Sequence, residues 1–112
     1  EKSDYKVKMA KENFQRANLK NIKIIHGDAL KEIPKLKEKY DFMFIDAIKR
    51  DYIKYLSLAE KNLKKGSIIT ADNAIKFKEK MKHYLNYLQN NKNYSSVLVP
   101  IGTGLEFSVK IK

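Results

Sequence analysis

The chain has 112 residues, of which 43% are hydrophobic, enough for one small core and too apolar for a disordered polymer. Its net charge is +11, nearly all from lysine, since Arg16 and Arg50 are the only arginines; a polyanion such as RNA fits that surface, and so does a plain solvated face. Cysteine is absent, which excludes a disulfide frame and a thiolate metal site and suits a cytoplasmic protein, and no apolar run approaches a membrane span.

The first predicted element is a helix over residues 2–18, with Val7, Ala10, Phe14 and Ala17 at helical spacing and Asn18 as its stop. "IKII", residues 22–25, reads as a short strand ending at His26-Gly27-Asp28. A helix around 30–38 comes next, in which Pro34 fits only near the first turn. "DFMFID", residues 41–46, is apolar on both faces, as in the middle of a parallel sheet. The next helix, 49–63, carries a stripe of Tyr52, Leu56, Ala59 and Leu63 and is expected to end at Lys64-Lys65-Gly66. "SIITA" gives another strand. Phe77, Met81, Tyr84 and Leu88 mark a fourth helix, closed by Asn90-Asn91. Strands at 94–100 and 105–111 are joined by Gly102-Thr103-Gly104 as a hairpin. The alternation predicts an α/β fold whose sheet is mostly parallel and ends in an antiparallel hairpin.

Ligands of open α/β sheets bind beyond the carboxyl ends of the strands. Asp28, Asp46, Asp72 and Asn73 all fall at such ends. Two explanations stand for the last three. As oxygen donors without cysteine they suit a hard cation such as Mg²⁺ or Ca²⁺, with positions left open for substrate. Alternatively, Asp46 and Asp72 cap the helices that come after them. Lys49 lies within reach of Asp46. His26 and His83 carry no assigned role, and neither a phosphate-cradling loop nor a serine–histidine pair supports a hydrolase.

Four segments in order, "HGDAL", "YDFMFIDAIKRDY", "GSIITADNAI" and "VLVPIGTGLEFSVK", resemble the metal-dependent, S-adenosylmethionine (SAM)-using O-methyltransferases that include catechol O-methyltransferase. The resemblance implies a Rossmann-like methyltransferase sheet. It spans the whole chain but only the C-terminal part of a single family domain, so residues 1–112 are expected to lack the first two strands and the glycine-rich loop. It further implies that Glu1 binds the ribose of the cofactor and that Asp28 and Ala29 lie beside its adenine. Asp46, Asp72 and Asn73 would be the metal ligands, with Asp46 also near the methyl donor. Lys49 would accept the substrate proton, and Glu106 would be a substrate-side acid. Ala47 and Ile48 stand where the catechol enzyme has His and Trp, and Gly102-Thr103-Gly104 replaces the usual Gly-Asp-Gly.

The implied activity is methyl transfer from SAM, assisted by a divalent cation, to a small-molecule hydroxyl with a neighbouring oxygen. A 5-hydroxyuridine of tRNA is the second substrate class, favoured by the charge. A non-catalytic remnant that binds a partner is the third reading, since a segment without the glycine loop is expected to be inactive alone. The family also implies a homodimer and no membrane association.

Overall fold

In the computed structural model, which describes residues 1–112, the chain divides into two units, Glu1–Leu36 and Lys37–Lys112. In the first unit, helix α1 spans Asp4–Arg16. Ser3 Oγ accepts the Lys6 N–H at 3.3 Å, and Asp4 and Arg16 complement the two ends of the helix dipole. Asn18, at φ +53°, turns the chain out of the helix, as expected of an αL stop. Helix α2 is only Ala29–Glu32, passing into a 3₁₀ turn at Ile33–Lys35. It is shorter than the sequence predicts because Pro34 lacks the N–H that would continue the ladder.

The strand expected at residues 22–25 does not form. A strand exists through a row of partner groups, and no other strand pairs with this segment. Glu1 supplies the only main-chain bonds there: its ammonium donates to Ile25 O at 3.1 Å, and its carbonyl accepts the Gly27 N–H at 2.9 Å.

The second unit holds β1 (Tyr40–Ile45), α3 (Tyr52–Ala59), β2 (Leu63–Asp72), α4 (Lys82–Asn90), β3 (Tyr94–Val99) and β4 (Leu105–Lys110). The sheet order is β1-β2-β4-β3, with β1 parallel to β2 and the other two pairings antiparallel. One face is buried, through Ile45, Ile69, Ala71, Glu106 and Ser108. The predicted stripe of Tyr52, Leu56, Ala59 and Leu63 is buried too, and Tyr52 meets Tyr84 of α4 edge to face with centroids 5.8 Å apart.

The other sheet face is open. Phe42 is 58%, Phe44 56% and Val97 58% exposed, and β1 is an edge strand. This corrects the expectation of a strand buried on both faces. An apolar run records which residues gain from burial, not whether a neighbour is there to bury them.

Two further boundaries differ. The helix before β2 ends at Ala59, with a 3₁₀ turn at Glu60–Asn62, so Lys64-Lys65-Gly66 lie inside β2 rather than closing a helix. Gly66, at φ +90°, sits in the irregularity between the pairs Tyr40↔Leu63 and Phe42↔Ile68. Ser67 Oγ stitches that irregularity, donating to Tyr40 O and accepting the Lys64 N–H, each at 2.8 Å. Phe77 precedes α4 rather than opening it. Residues 73–81 run as turns, whose Phe77 N–H bonds Asn73 O and whose Met81 N–H bonds Phe77 O.

Candidate functional site

The parallel register of β1 and β2 ends at Ile45↔Ala71, both buried. The next aligned positions are Asp46 and Asp72. Asp46 comes directly after β1 and Asp72 is the last residue of β2, and paired strands lie roughly 4.8 Å apart. Neither acid caps a helix. The turn at Lys49–Asp51, α3 and α4 all begin without a side-chain cap. Capping belongs instead to Asp28, whose Oδ1 accepts the Leu30 N–H at 2.9 Å.

Lys49 joins this edge. Its Nζ donates to Asp46 Oδ1 and to Ala47 O, each at 3.1 Å, and lies 5.3 Å from the centroid of the Tyr52 ring. Burial acts to lower the Lys49 pKa, but bonds from Tyr52 and Asp46 outweigh it and raise it. The side chain is therefore held as an ammonium. Tyr52 is fully buried, and its hydroxyl donates to Asp72 O at 3.2 Å. Burial raises the Tyr52 pKa, Lys49 opposes that, and the Asp46 and Asp72 carboxylates add to it.

Asn73 holds φ +71°, a left-handed conformation that Asn tolerates better than most residues. Its N–H donates to Asp72 Oδ1 at 2.8 Å, and its Nδ2 donates to Thr103 Oγ1 at 2.8 Å. The Asn73 side-chain oxygen is left without a protein donor. No cluster of three or more His, Cys, Asp or Glu side chains that could hold a metal ion is present; Asp46, Asp72 and Asn73 offer two carboxylates and one amide. Oxygen donors of this kind fit a hard divalent cation.

The other predicted residues lie elsewhere. Glu106 is 5% exposed on the buried face, at the register of Ala71, where its Oε1 accepts from Ser96 Oγ at 2.5 Å. Ser96 in turn bonds Ser108 at 2.7 Å. Glu106 makes no bond to Asp46, Asp72, Asn73 or Lys49. Glu1, Asp28 and Ala29 belong to the first unit. There Glu1 Oε1 accepts the Ser3 N–H at 2.9 Å, which lowers the Glu1 pKa, and Lys2 Nζ lies 3.9 Å from Asp28 Oδ2. Sequence reasoning misses Tyr52 and Thr103 as site residues. Tyr52 reads as an ordinary member of the core stripe, and Thr103 as a turn residue between glycines.

Solved structures share this architecture. The chain aligns over its full length with 59% of the SAH-bound methyltransferase PaMTH1 of Podospora anserina, at a TM-score of 0.91 and 18% identity. It aligns over 98% of its length with 60% of the O-methyltransferase from Bacillus cereus, solved with SAH, at a TM-score of 0.86 and 21% identity. The fold is thus the α/β, Rossmann-like methyltransferase fold. Among curated relatives, a catechol O-methyltransferase of Mycobacterium tuberculosis is 33% identical over 70 residues, which are 61% of this chain and 32% of that protein. Tapetum-specific methyltransferase 1 of Arabidopsis thaliana is 38% identical over 60 residues, covering 50% of this chain and 26% of that protein. The chain thus covers about a third or less of these curated relatives, and about three fifths of the solved structures. The profile of the O-methyltransferase family matches residues 1–110, and the chain belongs to that family.

Proposed function

We propose that these residues form part of a SAM-dependent O-methyltransferase that acts, with a divalent cation such as Mg²⁺, on a catechol-like hydroxyl beside a second oxygen. The observation that carries this reading is the pair of acids at neighbouring strand ends, Asp46 directly after β1 and Asp72 closing β2, with Lys49 bonded to the first and Asn73 to the second. Asp46, Asp72 and Asn73 would hold the cation, which when bound supplies Lewis acidity that lowers the pKa of a coordinated hydroxyl. Lys49 would take the hydroxyl proton. Its pairing with Asp46 favours the charged form, so it would act as a base only after releasing its own proton to solvent. SAM, when bound, would supply an activated methyl group to the substrate oxygen. Glu1, Asp28 and Ala29 are the proposed contacts to the cofactor. Two structural relatives with bound SAH support that cofactor.

Ile48, Ile75 and Ile101 are 56%, 47% and 71% exposed on the loops that carry the site. They suit an apolar aromatic body more than a sugar. The test is methyl transfer from SAM to catechols by the full-length protein, with Mg²⁺ and with EDTA. Activity should vanish with EDTA and in Asp72→Ala; activity that survives both overturns the cation reading.

One observation favours the tRNA hydroxyuridine reading instead. Lys76 and Lys80 place their ammonium groups 5.4 and 5.3 Å from the Phe77 ring centroid, and Lys49 lies 5.9 Å from it. Such a cationic surround with an aromatic ring fits a nucleotide. Mass spectrometry of tRNA nucleosides from a deletion strain decides it, since unchanged methoxyuridine excludes this substrate.

A further inference from the structure

Thr103 occupies a hinge point on which the donor set of Asp72 and Asn73 depends, and its importance rests on their proposed role as cation ligands. A threonine hydroxyl has one proton to give and two lone pairs to accept with. Thr103 Oγ1 lies 3.4 Å from Asp72 Oδ1 and 2.8 Å from Asn73 Nδ2. A carboxylate only accepts, so the single hydroxyl proton goes to Asp72. The amide facing Thr103 must then donate. Rotating the Asn73 amide by half a turn would draw the hydroxyl proton to the amide oxygen and leave Asp72 Oδ1 without it, so only the amide as it stands satisfies all three groups at once. We propose that Thr103 is a positioning residue that fixes the Asn73 carboxamide with its oxygen turned outward as a cation ligand.

The main chain supports the same conclusion. Thr103 sits between Gly102 at φ +55° and Gly104 at φ +91°. Its carbonyl accepts the N–H groups of Ile75 at 2.9 Å and Lys76 at 3.1 Å, and the Gly104 carbonyl accepts that of Ala74 at 3.1 Å. Three bonds therefore clamp the residues just after Asn73, and hold it in its left-handed conformation. The same hydroxyl acts on the second ligand. Asp72 Oδ1 receives both Thr103 and the Asn73 N–H, which leaves Oδ2 as the oxygen without a protein donor. One side chain orients both donors at the end of β2 while touching no reacting atom.

The experiment titrates Mg²⁺ and Mn²⁺ into the chain by calorimetry, for wild type, Thr103→Val, Thr103→Ala and Thr103→Ser. Hydrogen exchange of the Asn73 side-chain amide is monitored by NMR in each. Loss of the hydroxyl should weaken ion binding about 10- to 100-fold, the usual effect of removing a partner of a ligand. Thr103→Ser should keep wild-type affinity. The Asn73 amide protons should exchange faster in the valine and alanine variants and at the wild-type rate in the serine variant. Equal ion affinity in all four proteins overturns the inference. If wild type binds neither ion, the cation reading falls instead, and the amide then decides Thr103 alone: unchanged exchange in Thr103→Val or Thr103→Ala overturns its orienting role. Two hydroxyl-free variants are used so that a folding defect in one leaves the other to be read.

Discussion

Asp46 and Asp72 hold aligned places on neighbouring strands, yet they are built differently. Asp72 ends an inner strand. Its carboxylate takes the Asn73 N–H and the Thr103 hydroxyl, and its carbonyl takes the Tyr52 hydroxyl. Asp46 comes just after an edge strand, its side chain is 45% exposed, and its one protein partner is the Lys49 ammonium. One acid is anchored by a web of directional bonds; the other is half-exposed and held by a single ion pair. A site made this way is anchored on one side and lightly held on the other, which suits the proposed binding of both an ion and a substrate.

The largest expected effect tests whether the two acids share a task despite that difference. Asp46→Ala and Asp72→Ala should each cut methyl transfer by about a thousandfold or more, the several kcal/mol that a Lewis acid supplies. Their stabilities should diverge. Asp72→Ala strands the Asn73 N–H and should cost about 1–3 kcal/mol in urea melts. Asp46→Ala removes only a partly exposed pair and should stay within about 0.5 kcal/mol. Equal losses of stability would break the contrast.

A second test compares two glycines, Gly66 within β2 and Gly104 just before β4. Gly104 has φ +91°, and a Cβ there would sit 2.5 Å from the main-chain nitrogen of Ile75. Gly66 has φ +90° but open space around it. Gly104→Ala should therefore cost about 3 kcal/mol or more, by adding a main-chain clash to the left-handed strain. Gly66→Ala should cost only that strain, about 1–2 kcal/mol. Chemical denaturation measures both, and Gly104→Ala should also weaken ion binding.

Tyr52→Phe sharpens the comparison further. The ring face 5.3 Å from Lys49 remains, while the hydroxyl's bond to Asp72 O and its support of the Lys49 ammonium are lost, so stability should fall by about 1 kcal/mol. Tyr52→Leu, which removes the ring as well, should be worse.

The smallest effect lies away from the site and serves as a control. Glu60 Oε1 accepts from Tyr87 at 2.5 Å and from Tyr94 at 2.9 Å. Burial and the Glu60 bond push the Tyr87 pKa up to about 12. A folded pKa raised above the unfolded value of about 10 gives stability that is complete below pH 10 and lost as pH rises towards 12. Alkaline melts of Tyr87→Phe should lose less stability across that window than wild type, with cation binding at neutral pH unchanged.

Much of this site is legible in the residues. Asp46, Asp72, Asn73 and Lys49 stand out because acids at the ends of apolar runs demand an explanation, and the family resemblance supplies one. Tyr52 and Thr103 are not legible as site residues. A tyrosine in a helical stripe and a threonine in a turn look the same whether or not their hydroxyls reach a ligand. Glu106 shows what register adds: the resemblance implies a substrate-side acid, and the β2–β4 register places it opposite Ala71 on the buried face.

The sequence by itself determined the alternation of helices and strands, the antiparallel hairpin, the turn at Asp28 and the pair of acids at matching strand ends. These depend on local period and composition, which a chain carries wherever it folds. Tertiary structure decided the rest. Whether residues 22–25 become a strand depends on a partner row that their own sequence cannot contain. Whether Phe42 and Phe44 are covered depends on what stands opposite them. Which oxygen of Asp72 is free, and which way the Asn73 amide points, depend on Thr103 some 30 residues away, because a hydrogen bond is set by distance and direction in space rather than by separation along the chain.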